Sequence, residues 1–408
     1  MQLPPPFDNR HFSQYWIGQM AGSLATQMLL VGLGWQVYLL TDSALALGLV
    51  GLARYIPQLL LTVHAGHVAD RYNRVYLLLF SRALLALSIL VLALTSFIGT
   101  ITENIIYLSC IAMGVAQTYG MPAGSAVIPN LVNKNQLAQA MTVTAAGREF
   151  CTIVGPALGG FIYILGAGTL YTSSFLLTLV SLMVIFVMPP IAQIRNTGKS
   201  NISELLAGFT FVWRTKPVLG SISLDMMAVL IGSVTALLPL VAHDILHTNS
   251  AGLGILRSAP ALGALLMSVY LAKNPIRRNA GKKLYTAVAL FGLSTIGFGL
   301  SETFWISLVM LFTLGAADMV SVVVRSTLVQ IETPDSMRGR VSSVNSLFIA
   351  SSNQLGEFES GVLAALIGAV PAILLGGAGT LLITLVWIPL FPSLWQRDAL
   401  VPETEESN

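Results

Sequence analysis

Polar residues interrupt this 408-residue chain at intervals of about one bilayer thickness, and that spacing restricts its fold more than any other feature. A helix of about 20 apolar residues crosses the hydrocarbon core of a membrane. Twelve apolar runs of that order can be read, at approximately 12–40, 45–64, 75–97, 105–128, 140–165 and 170–189, then 218–242, 251–272, 284–300, 304–330, 341–366 and 370–392. Only 10% of residues are charged and 55% are hydrophobic, against about 25% charged in a soluble domain. This composition excludes a soluble enzyme, a nucleic-acid binder and a disordered scaffold, and the net charge of +3 gives nucleic acid nothing to hold. Cys110 and Cys151 both lie inside apolar runs, so neither a disulfide framework nor a metal cluster is indicated. The polar start is followed by an apolar run too long for a cleavable signal. The expected class is an all-α, multi-pass membrane protein that is not an enzyme, with the lipid bilayer as its first partner.

The runs group into 1–191, a polar segment 192–217, a second set 218–393 and a polar tail 394–408. The middle segment carries an amphipathic stretch from Glu204 to Trp213, expected on the membrane surface. Basic residues set the orientation. With both termini in the cytoplasm, the outer loops carry Asp42, Glu103, Asp244 and Glu302 and no Lys or Arg. Arg54, Arg148, Arg257 and Arg325 fall within spans, and every other basic residue, Arg82 included, is placed inside or at the inner edge.

The halves echo each other at an offset of about 200 residues, which is common among transporters. Gly51-Leu-Ala-Arg54-Tyr-Ile-Pro57 in the second span matches Gly254-Ile-Leu-Arg257-Ser-Ala-Pro260 in the eighth. Gly114 matches Gly315, and Gly155 with Gly160 matches Gly356 with Gly361. A duplicated six-helix unit follows.

After the second span comes Gly66-His-Val-Ala-Asp70-Arg71-Tyr-Asn-Arg74. It resembles the signature loop of the major facilitator superfamily, with Asn73 and Val75 replacing that family's second Gly and second basic residue. The resemblance implies a conformational latch: Gly66 for close helix packing, and Asp70 capping a helix or pairing with Arg71 or Arg74. Gly155-Pro156-Ala-Leu-Gly159-Gly160 resembles the superfamily's antiporter motif, in which small residues let helices approach and Pro bends one of them. Ordinary small-residue packing is the rival reading. The segments Pro122–Val132 with Gln136-Leu137-Ala138, and Pro334–Val341, are similar to loops of the enterobactin exporter-like subfamily, which handles drugs and siderophores. The implied fold is that of a major facilitator, twelve transmembrane helices in two pseudo-symmetric six-helix bundles.

A charge near the bilayer centre costs about 2.5 kcal/mol or more, so each needs a partner or a wet cavity. Substrate-binding candidates are Arg54, Arg257 and Arg148, which suit an anion, with Tyr55 and Tyr119 beside them. Proton-coupling candidates are Asp318, Glu357, Glu359 and Glu149. Glu357 and Glu359 sit about 200° apart on a helix, so at most one faces a given cavity. Asp225 is read as structural, and Arg325, near the inner end of its span, as a gate, a snorkelling side chain or a substrate contact. Internal ion pairing is the competing role for all of these charges. Without a cofactor or metal, a proton gradient is the expected energy source. The expected function is proton-coupled export of a small anionic or polar metabolite, such as a siderophore, from a monomeric carrier in a bacterial inner membrane. Uptake of a siderophore or nutrient and multidrug efflux are the rivals; the arginines count against lipophilic cations.

Overall fold

The computed structural model describes residues 5–188 and 202–398. The long helices are α1 Arg10–Thr41, α2 Ala44–Arg71, α3 Arg74–Ile98, α4 Glu103–Leu131, α5 Leu137–Tyr163 and α6 Ala167–Phe186. After α7 Ile202–Arg214 come α8 Lys216–Gly232, α9 Ser250–Lys273, α10 Ala280–Gly299, α11 Phe304–Glu332, α12 Arg338–Ile367 and α13 Ala369–Leu390. Every expected span meets one long helix, with edges displaced by a few residues except in α8. The chain 399–408, expected as a tail, and most of the polar segment before α7 lie outside the described residues.

Local chemistry explains the helix ends. Asn9 Oδ1 accepts from His11 N at 2.9 Å, Ser43 Oγ from Ala46 N at 3.4 Å and Asn73 Oδ1 from Val75 N at 2.9 Å, each closing a helix start. Gly99 ends α3 at φ 76°, a left-handed value that glycine adopts freely. Among the described residues, eight helical spans are long and apolar enough to cross a bilayer on length and composition alone. Among the others is α12, whose Ser, Asn, Gln and Glu residues require shelter from lipid.

The eighth helix departs from expectation: α8 stops at Gly232 instead of running unbroken to 242. Ser233 is extended (φ −68°, ψ 124°), and a 3-10 turn and a π turn carry the chain to Ile245. Glycine favours the break, and a Cβ at Gly232 would stand 2.6 Å from Thr380 Oγ1. The freed Ser233 carbonyl accepts a 2.6 Å hydrogen bond from Ser360 Oγ on α12, so no orphan acceptor is left there.

Contacts divide the chain into two units, Met1–Ser200 with His247–Ser258, and Asn201–Leu246 with Ala259–Asn408. In the first, α1 packs on α5 and α6, and α3 and α4 complete the set with α2. Its core includes Phe12, Tyr15, Leu78, Val127 and Ile185, all buried. In the second, α10 packs on α11 and α13, and α8 on α12 and α13. Val212 of α7 is 2% exposed in a cluster with Val218, Ile222, Val329, Val341 and Val344. The amphipathic segment therefore docks one face on its own unit, and Trp213 is exposed on the other.

Candidate functional site

Helix packing places the motif residues first. In α5, a Cβ on Gly159 would stand 2.7 Å from the Met28 carbonyl oxygen of α1, and one on Gly155 would meet Gln27. Gly160 lies against the Ser250 backbone at the start of α9, and its carbonyl accepts from Ser250 Oγ at 2.9 Å. Gly254 lies against the Pro156 carbonyl. These are backbone-to-backbone approaches that any side chain would block, the small-residue packing that holds helices together where lipid is as apolar as the interface.

The repeat is visible in the same terms. Gly114 of α4 presses on the Arg54 carbonyl and the Pro57 ring of α2, and Gly315 of α11 presses on the Pro260 carbonyl of α9. Each proline removes a hydrogen bond from its own helix, and each glycine admits the neighbouring helix at that point. The Arg-x-x-Pro segments thus occupy equivalent helix pairs.

Around these contacts the expected binding residues separate. Arg54 is partly exposed, and its buried Nε has no acceptor among the described residues. Tyr55 is buried, at 4% exposure, whereas Arg257 is partly exposed. Arg148 and Glu149 are both exposed on α5. Tyr119 is held by a 2.8 Å hydrogen bond to His64 Nδ1 and by the edge of Phe80, which ties it to α2 and α3.

Among the described residues nothing lies within 4 Å of a Cβ built on Gly66, the glycine of the expected latch meant to serve close helix packing. Arg71 is exposed at the end of α2, where its charge complements the helix dipole, and Arg74 opens α3 partly buried. The Asp70 side chain lies outside the described residues.

The second unit contains the strongest polar cluster. Arg325 Nη2 of α11 pairs with Asp225 Oδ2 of α8 at 3.2 Å, both side chains less than 10% exposed. Ser321 Oγ donates to Asp225 Oδ1 at 3.2 Å, and Arg325 Nη1 donates to Asn345 Oδ1 of α12 at 3.1 Å. Asp318, Ser321 and Arg325 recur at i, i+3 and i+7, one stripe of α11. Asp225, Asp318 and Ser321 line a cavity of about 10 Å³ closed by Val288 and Phe291 of α10, about the room of one water molecule. Asp318 itself makes no hydrogen bond or ion pair among the described residues. Asp225, expected as a structural residue, and Arg325 form one buried pair, so the Arg325 side chain does not snorkel to the surface. Glu357 and Glu359 are both partly buried on α12, and Glu359 Oε2 is buried without a donor.

One residue escaped the sequence reading. Arg82, counted with the inner edge, lies about 12 Å beyond the first residue of α3 at 1.5 Å per residue. Its Nη2 donates to Gln19 Oε1 of α1 at 2.9 Å. The signal was the span 75–97 itself, which already carries Arg82 two turns beyond its start.

A sequence profile of the family described as transmembrane secretion effectors matches residues 4–405. Curated relatives include the enterobactin exporter EntS of Citrobacter koseri, 26% identical over 370 residues that span 88% of this chain and 84% of that one. EntS of Escherichia coli O1:K1 / APEC is 26% identical over 349 residues, 84% and 82% of the two chains. Among solved structures, a variant of the nucleoside transporter NupG superposes with a TM-score of 0.77 at 12% identity, covering 93% of this chain and all of that one. An inward-facing bacterial homologue of the human lysosomal transporter Spinster gives 0.72 at 14% identity, covering 97% of each chain. The structural likenesses establish the fold.

Proposed function

The chain belongs to the transmembrane secretion effector family of the major facilitator superfamily, and from that premise we propose that it exports a small anionic metabolite in exchange for protons across a bacterial inner membrane. It is a multi-pass secondary transporter, and such a carrier moves its solute by alternating access, without covalent chemistry. The finer reading takes its substrate class from the interior charges and from EntS, whose name gives enterobactin as its cargo.

One observation carries it: the unbalanced interior charges are arginines in one unit and a carboxylate in the other. Arg54 and Arg82 have no carboxylate partner among the described residues. An anionic group matches the five donors of a guanidinium better than any neutral solute does. Asp318 makes no hydrogen bond or ion pair among the described residues and lines a cavity of one water's size beside Asp225. A carboxyl so placed suits taking up and releasing a proton, the step that ties solute movement to a gradient. Arg257, Arg148, Tyr55 and Tyr119 are the further substrate contacts of this reading. Glu357, Glu359 and Glu149 are the alternative proton carriers. Asp70, Arg71 and Arg74 are the latch that sets the rate of conformational exchange.

The test compares culture supernatants by mass spectrometry under iron limitation, between cells with and without the gene. Loss of a chelator from the medium on deletion supports export and identifies the cargo. A chelator that stays, or accumulates as its iron complex goes unused, reverses the direction to uptake. No difference in any chelator moves the reading to drug efflux.

A further inference from the structure

Buried arginines in membrane proteins are normally balanced, because stranding a cation among apolar helices costs several kcal/mol. Arg82 breaks that pattern. Among the described residues its hydrogen bond goes to the neutral Gln19 Oε1, and no Asp or Glu pairs with it. A Cβ on Gly22 would stand 2.7 Å from Arg82 Nη1, so the guanidinium lies against α1 at this glycine. One turn before Gln19, Tyr15 is anchored by donating its hydroxyl to the Gly124 carbonyl of α4 at 2.9 Å. Tyr15 lies within electrostatic reach of both Arg82 and Arg148. Arg148 comes from α5 just after Gly147, which packs against Trp16 and Met20 of the same stretch of α1. Nor does Arg148 pair with a carboxylate among the described residues. The helices α1, α3 and α5 therefore bring Gln19, Arg82 and Arg148, the last of them exposed, to one region of the first unit.

We propose that Arg82 and Arg148, positioned by Gln19 and Tyr15, form a binding site for an anionic group (a carboxylate, sulfonate or ionised phenol) of the transported solute. The proposal rests on the transporter reading but not on export or on proton coupling. A scaffolding arginine would carry a carboxylate, as Arg325 does; this one keeps donors for a visitor. Gln19 uses one of them and fixes the plane of the fork, which makes Gln19 a positioning residue.

The test is calorimetric titration of the purified full-length protein with benzene-1,3,5-tricarboxylate, against its neutral triamide as control. The expected result is salt-sensitive binding of the trianion alone, weakened about ten-fold or more by Arg82→Gln and by Arg148→Gln, as loss of a charge-assisted contact implies. Arg82→Lys should retain most of the binding, and Gln19→Ala should weaken it if Arg82→Gln fails to fold. A purely structural arginine moves a different readout. Removing it would lower Tm, whereas removing an unbalanced buried cation raises Tm and abolishes the trianion's stabilising effect. Binding of the trianion by Arg82→Gln at wild-type strength, or no binding by the wild type, overturns the site. So does displacement by phosphatidylglycerol added to the micelles, which would assign the anion to a lipid headgroup. Either result leaves the supernatant comparison standing, so failure here and failure of the export reading are separable.

Discussion

In the second unit Arg325 meets Asp225 at 3.2 Å, and Ser321 and Asn345 satisfy the outer positions of that pair. In the first unit Arg82 reaches a neutral glutamine, and neither Arg82 nor Arg54 has a carboxylate partner among the described residues; a buried Nε without an acceptor is common to these two and to Arg325, so the carboxylate is what separates them. Both units stem from one repeat and use the same glycine-on-carbonyl contacts, at Gly114 and at Gly315, so the difference lies in the side chains and not in the scaffold. A paired buried charge specifies packing. An unpaired one is an expense that the fold tolerates where a ligand or a proton supplies the missing partner at some stage of the cycle.

The largest test of this contrast is to break the pair. Asp225→Asn or Arg325→Gln alone is expected to destabilise the protein by about 3–5 kcal/mol, because each strands the other charge. The double variant should recover most of the loss, measured as the shift in unfolding midpoint in detergent. A double variant as unstable as the sum of the singles would deny that the pair acts as a unit. Next in size, Gly159→Val should cost about 1–3 kcal/mol by driving α5 from the Met28 backbone. An unchanged midpoint would mean that the two helices separate there at no cost. Ser321→Ala removes one donor from a buried carboxylate and is expected to cost about 1.5 kcal/mol, less than either charge substitution. Smallest of all, Asp318→Asn should lower stability by less than Ser321→Ala does, since the carboxyl makes no hydrogen bond or ion pair to lose. A loss near that of Asp225→Asn would place Asp318 inside the network and weaken the contrast.

Much of the scaffold was legible because a bilayer imposes a length and a polarity on every span. The caps Asn9, Ser43 and Asn73 and the small-residue run from Gly155 to Gly160 act locally, within the reach of a sequence pattern. The break after Gly232 was not legible. Its freed carbonyl is satisfied by Ser360, 127 positions away, and no periodicity in α8 records that hydrogen bond. The charges divide in the same way. Their positions could be read, and so could the stripe Asp318, Ser321 and Arg325 had the spacing been used. Which acid Arg325 would take was fixed by α8 and α11 meeting at Asp225, a tertiary fact. Arg82 was placed at the edge because a basic residue near a loop usually belongs there, although the expected span 75–97 already carried it two turns in; its contact with Gln19 of α1 is a tertiary fact.

The central claim is that unpaired interior charges serve transport while the paired ones serve the fold. It is tested most directly by restoring export to an iron-starved strain that lacks the gene, using variants matched for amount in the membrane. Wild type, Arg82→Gln, Asp318→Asn and the double variant Asp225→Asn/Arg325→Gln would be compared by mass spectrometry of the supernatant. The account predicts that Arg82→Gln and Asp318→Asn restore no export and that the neutralised pair restores a substantial part. Full export by both single variants, with a silent but membrane-resident double variant, would contradict it.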